Sequence, residues 1–302
     1  MSKPASMTRD SVMRGGAAST IHDLGYRRYD GPRDGARGAF RTLFWQGFRT
    51  MFGVGRPWKS KAVPVFVVVV SMLPSLASVV AVGASQGQIP LQYAGVYAAQ
   101  LVLFLLFSAA QAPEMLSRDQ QHRVLPLILT RNVTRTSYAL ARLAAMFTAM
   151  FLVCLAPLLV LYLGEIGVAK VPSETFADMG GKIGPVLLMA TLAAMVYSTV
   201  SAALASCTPR RAYATASIIG LFLVSTAIAL GLRDLAGVPN EVNELIDPLR
   251  ALGTLAMVLF GETTRGMELN PPPPVAAFIA VFVIIAAGAT TVLVWRMRRV
   301  TV

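Results

Sequence analysis

Residues 113–142 read PEMLSRDQQHRVLPLILTRNVTRTSYALAR, a charged connector set between two long apolar runs. Glu114, Arg118, Asp119, His122 and Arg123 follow one another at intervals that, on a helix, gather them on much of one polar face, opposite Met115, Leu116, Val124 and Leu125. The stretch then turns apolar over 125–129 and closes with Arg131 and Arg135 as the next apolar run begins. The pattern predicts a short amphipathic helix at a bilayer surface, tied down at both ends. A merely solvated loop is the plainer alternative.

The remainder of the chain is membrane or membrane edge. It has 302 residues, of which 55% are apolar and 14% charged, where a soluble domain carries about a quarter charged. Six apolar runs, at 62–84, 91–112, 137–163, 183–206, 213–232 and 275–295, each approach or exceed the ~20 residues that cross a hydrocarbon core of ~30 Å. The fold class expected is an all-α polytopic membrane protein with six transmembrane helices, contained in residues 62–302. A seventh apolar run, 249–260, is too short to span and lies in a segment, 233–274, that reads as external. It is expected to be an interfacial or re-entrant helix.

Residues 1–38 are rich in Gly, Ser, Arg and Asp and read as a flexible basic tail without a signal peptide. Next, Phe40, Leu43, Phe44, Gly47, Phe48, Met51 and Phe52 recur at helical spacing, with Arg41, Gln46 and Arg49 off that stripe. Residues 39–61 therefore predict an amphipathic helix lying in the interface, ended by Gly53, Gly55 and Pro57 and anchored by Trp58, Lys59 and Lys61.

Charge decides orientation. The net charge of +12 could suggest nucleic acid, but 22 of the 27 Lys and Arg fall on the side of the N-terminus, together with 6 of the 15 acids. That side nets +16 and the other −4. By the positive-inside rule both termini and the 113–136 loop are cytoplasmic, and the basicity is topological, so no nucleic-acid partner is implied.

Chemistry inside the membrane is sparse. The two histidines, His22 and His122, fall outside the apolar runs, so no metal site or nucleophile-base pair is expected there, and the middles of the runs lack ionisable residues. Gly180, Gly181 and Lys182 are followed by Ile183, not Ser or Thr, and form no phosphate loop. The second run carries Tyr93, Tyr97, Gln100, Phe104, Phe107 and Gln111 on one helical stripe. Either the stripe faces a central cavity and contacts an amphipathic substrate, or it packs against neighbouring helices with its amides hydrogen-bonded.

The acid leaving one membrane helix, then SRD at 117–119, then LPLILTRNVTR at 125–135 leading into the next, resembles the permease subunits of type-two ABC transporters. The tail YRRYDGPR at 26–33 is similar to tails of actinobacterial members. The resemblance implies that the 113–136 loop is a coupling helix docking on a separate cytoplasmic ATP-binding cassette subunit through Glu114, Arg118, Asp119, His122 and Arg123. Arg118 and Arg123 would meet acids there, and Glu114 a base or a helix N-terminus. It makes 40–52 the connecting helix, with Phe40, Leu43, Phe44, Phe48 and Phe52 as its apolar face. The second and fifth spans would line the interface with a second permease chain, alike or different. ATP and magnesium would sit on the partner and no cofactor in this chain, which is then a plasma-membrane exporter subunit and not itself an enzyme. An ATP-independent carrier or channel, or a scaffold without transport, are the competing classes.

Overall fold

In the computed structural model, residues 31, 35–55, 58–85, 88–122, 125–129, 133–169, 179–236, 239–262 and 272–299 are described. The aromatic pattern near the N-terminus folds as α1, Ala36–Met51. It stops where Gly53 and Gly55 take positive φ values of 67° and 84°, a backbone region that side chains with a Cβ resist. Six long helices follow: α2 (Trp58–Ala84), α3 (Tyr93–Met115), α6 (Arg135–Val168), α7 (Ile183–Cys207), α8 (Arg211–Ala236) and α11 (Val275–Arg299). All six are long and apolar enough to cross a membrane, so the chain is all-α with the six expected spans.

Between α3 and α6 the one amphipathic helix expected is instead two short helices, α4 (Ser117–Gln121) and α5 (Leu125–Leu129). The polar run is broken where Leu116, between α3 and α4, leaves regular helix geometry, and Glu114 belongs to the last turn of α3. Beyond α8 come α9 (Asn240–Ile246) and α10 (Pro248–Phe260). Asp247 caps α10 by accepting from Leu249 N at 3.0 Å, and Pro248 occupies its first turn, both strong start signals. The short apolar helix is buried along Ala251–Met257 and packs on α3, α7, α8 and α11.

Burial sorts the helices into centre and periphery. In α7, 78% of the most apolar window is buried, against 17% in α2 and α8 and 22% in α11. Alanines 190, 193, 194, 202 and 205 on α7 are fully buried, and side chains this small let neighbouring backbones approach. α6 and α11 lie against α7, and α1 and α2 against α6. The α1 crossing is close, because a methyl added at Gly47 would lie 2.9 Å from Ala145 Cβ.

Candidate functional site

Charged and buried polar side chains concentrate where α3 passes into α4. Asp119 Oδ2 accepts from Tyr138 Oη at 2.6 Å and from Arg142 Nη2 at 2.7 Å, both on α6. The Arg142 side chain is 3% exposed, and its guanidinium lies 5.3 Å over the Tyr138 ring. Glu114 pairs with Arg211 at the start of α8 and with Arg118. Ser117 Oγ donates to Ala205 O at 2.8 Å, and Gln120 Nε2 to Ser206 O at 3.0 Å, which fastens the segment to the end of α7. Residues 114–120 are thus joined to three long helices by four side chains. Met115 also lies beneath Gly47, linking the same segment to α1.

Two of the five residues expected to face outward are turned in. Glu114 is buried and Asp119 half-buried, because Arg211 in one case and Arg142 with Tyr138 in the other draw the carboxylates toward the bundle. Arg118 and His122 are exposed, and Arg123 lies outside the described residues. On α1, Leu43 is buried with Gly47 and Met51, while Phe40, Phe44, Phe48 and Phe52 are half-buried beside them. Phe48 packs edgewise on Phe52 at 5.3 Å, and Phe52 meets Phe107 of α3 at 6.2 Å. Between α1 and the 114–119 turn is a cleft of about 870 Å³ lined by Arg41, Trp45, Arg49, Arg118 and Arg142, among others.

The aromatic and amide stripe of α3 is interior. Tyr93, Tyr97, Gln100, Phe104, Phe107 and Gln111 are all buried within the single chain. Gln100 Nε2 donates to Ser75 Oγ of α2 at 2.9 Å. Phe104 packs 5.5 Å from Tyr97 and 6.5 Å from Tyr197. The interhelical hydrogen bonds from Ser201 to Ser108 (3.1 Å) and Thr215 to Ala109 O (3.0 Å) belong to the same packing.

A second polar belt closes the opposite end of the bundle. Glu262 accepts from the Tyr93 and Ala94 amides at 2.7 and 2.8 Å, capping α3. Tyr93 Oη donates to Glu165 at 2.7 Å, and Lys182 Nζ donates to the other oxygen of that carboxylate at 2.7 Å. Nearby, Glu244 is buried and accepts from Arg250 (2.6 Å) and Thr254 (2.9 Å). Arg142 and Glu165 stand on one unbroken helix, so at 1.5 Å per residue they are roughly 35 Å apart, close to the hydrocarbon thickness of ~30 Å. Among the described residues no three His, Cys, Asp or Glu side chains come together as a metal site.

Sequence reasoning overlooked Arg142, Tyr138, Arg211, Glu165, Lys182 and Glu262 as partners. The available signal was Arg142 itself, an arginine about a turn and a half inside an apolar run, where a charge requires a counter-charge.

These features define a class: a six-helix polytopic membrane protein with a polar belt at each end. Comparison with models of known protein families finds no match, and comparison with curated proteins finds none.

Proposed function

We propose that the chain is the membrane-embedded permease subunit of an ATP-driven exporter. A separate cytoplasmic ATP-binding cassette subunit, carrying ATP and magnesium, docks on residues 114–122, and a second permease chain completes the pathway. The plasma membrane is its site, with both termini and this segment cytoplasmic. The cargo is an amphipathic or lipid-like molecule or drug.

One observation carries the reading. Residues 114–120 sit on the positive end of the bundle and are bonded to α6, α7 and α8 through Asp119, Ser117, Gln120 and Glu114. A push on that segment would therefore be delivered to three long helices and to α1. Its outward groups, Arg118 and His122, are left to meet the ATPase, while the inward acids transmit. A solvated loop would have no use for four separate fastenings, each of which restricts side-chain freedom.

The test has two arms. In Gln120→Cys with Cys154 and Cys207 replaced by Ser, an impermeant thiol reagent should label inverted vesicles and spare intact cells; labelling from outside overturns the topology. An adjacent reading frame is expected to encode the ATP-binding cassette subunit; expressed with it, the wild-type chain should co-purify with it and stimulate ATP hydrolysis. Arg118→Glu should reduce that stimulation about tenfold, in keeping with one lost charge-assisted contact. Unaltered stimulation would remove Arg118 from the docking surface.

A further inference from the structure

We propose that the cleft between α1 and the 114–119 turn binds the phosphate-bearing headgroup of an anionic phospholipid. The inference is independent of any ATPase and requires only that the long helices cross a bilayer.

Charge is the first argument. Four arginines and two carboxylates line the cleft. Both carboxylates are committed, Glu114 to Arg211 and Arg118, and Asp119 to Arg142 and Tyr138. Arg41 and Arg49 have no hydrogen-bond or carboxylate partner among the described residues. They stand two helical turns apart on α1 with Trp45 between them, so one row of that helix presents guanidinium, indole and guanidinium to the cleft. At the opposite wall the buried Arg142 keeps Nε without a hydrogen-bond partner, a donor that is costly to leave unmet. An anion with several acceptor oxygens satisfies Arg41 and Arg49, with the buried Arg142 adding positive charge at the far wall. Guanidinium groups match phosphate geometry well.

Position argues for a lipid as the source. Trp45 is 49% exposed and packs edgewise on Phe44 at 5.9 Å and Phe48 at 5.8 Å. The polar cleft thus continues through its indole into the aromatic row of an amphipathic helix, the arrangement that seats headgroups above and acyl chains below. The volume of about 870 Å³ lies in the range of small-ligand pockets. Basic pockets at the end of a helix bundle recognise anionic headgroups by this combination of charges.

The test uses the full chain in neutral detergent, titrated with phosphatidylglycerol, phosphatidylcholine or inorganic phosphate, with bound lipid counted by native mass spectrometry. Phosphatidylglycerol should bind and raise the melting midpoint, whereas phosphatidylcholine should do neither. Arg41→Gln with Arg49→Gln should weaken phosphatidylglycerol roughly thirtyfold, at about fivefold per basic residue. Arg41→Lys with Arg49→Lys should retain most of the binding. Arg233→Gln, an exposed arginine on α8, should change nothing. An unchanged elution volume and lipid-free melting midpoint in the double Gln variant show that it folds. Equal binding of phosphatidylcholine, equal loss in Arg233→Gln, or retained binding in the double Gln variant each overturns the proposal. Protection by inorganic phosphate at the same concentration as phosphatidylglycerol would make this a free-phosphate site, and overturns the lipid assignment. Retained lipid with lost ATPase assembly in the double Gln variant would give the cleft to a protein carboxylate.

Discussion

Arg142 is the residue that ties residues 114–120 to α6. It is buried inside an otherwise apolar stretch of α6, and its charge is compensated by Asp119, which also accepts from Tyr138. Removing one partner of such a pair costs about 3–5 kcal/mol, because the other charge stays buried and unmet, whereas removing both costs less. Arg142→Met and Asp119→Asn are therefore each expected to lower the melting midpoint, and the double variant by less than the sum, with a coupling of about 2 kcal/mol. The double-mutant cycle measured by thermal unfolding in detergent checks this. Additive effects would mean that the bond does not hold α4 to α6.

At the scale of elements, α3 is held at both ends, by Glu114 against Arg211 at one and by Glu262 on its first amides at the other. Burial raises the Glu262 carboxyl above its ordinary 4.5, and the bonds from Ala94 and Tyr93 offset part of that rise. A carboxyl with a raised folded pKa binds more protons in the native state, so its contribution to stability falls as pH rises from 4.5 through the raised value. Glu262→Gln removes this titration. The midpoint of the wild type relative to that variant is expected to be most favourable at the acid end and to decline toward neutral pH; a flat or rising difference contradicts it. The helices themselves were legible, since twenty-residue apolar runs with flanking Arg, Pro and Gly admit few other structures. Even 249–260 was readable as a non-spanning helix from its length. Side-chain direction was not legible. Glu114 and Asp119 share a polar face with Arg118 in sequence, yet their partners lie 97 and 23 positions away, at Arg211 and Arg142, and periodicity carries no information about partners so distant. The α3 stripe stayed open between its two readings for the same reason, because aromatics and amides at helical spacing read alike whether they face a cavity or, as here, Tyr197 and Ser75.

For the whole molecule, the burial pattern leaves three long helices with uncovered apolar faces, any of which could meet lipid or the second chain proposed above. α2, α8 and α11 each leave most of their apolar length uncovered, with Phe66, Leu223 and Ile284 among the exposed side chains. Of these helices α8 alone begins at Arg211, the partner of Glu114, and donates from Thr215 to Ala109 O of α3. A partner chain on α8 would therefore feel movement of residues 114–120 through the fewest links, whereas α2 is reached through α3 or α6, and α11 through α6, α7 or α10. This also adjusts what the resemblance implies, because α3 is interior in the single chain and the fifth span supplies the free surface. Nitroxides attached to cysteine at Phe66, Leu223 and Ile284, with Cys154 and Cys207 replaced by Ser, should report this in bilayers. Oxygen collision is expected to be high at 66 and 284, and several-fold lower at 223 in the assembled complex, since protein contact excludes the dissolved gas. Dissociating the complex in excess detergent should bring 223 up to the others. High collision at 223 in both states would make α8 a lipid-facing helix and move the second permease chain to another surface.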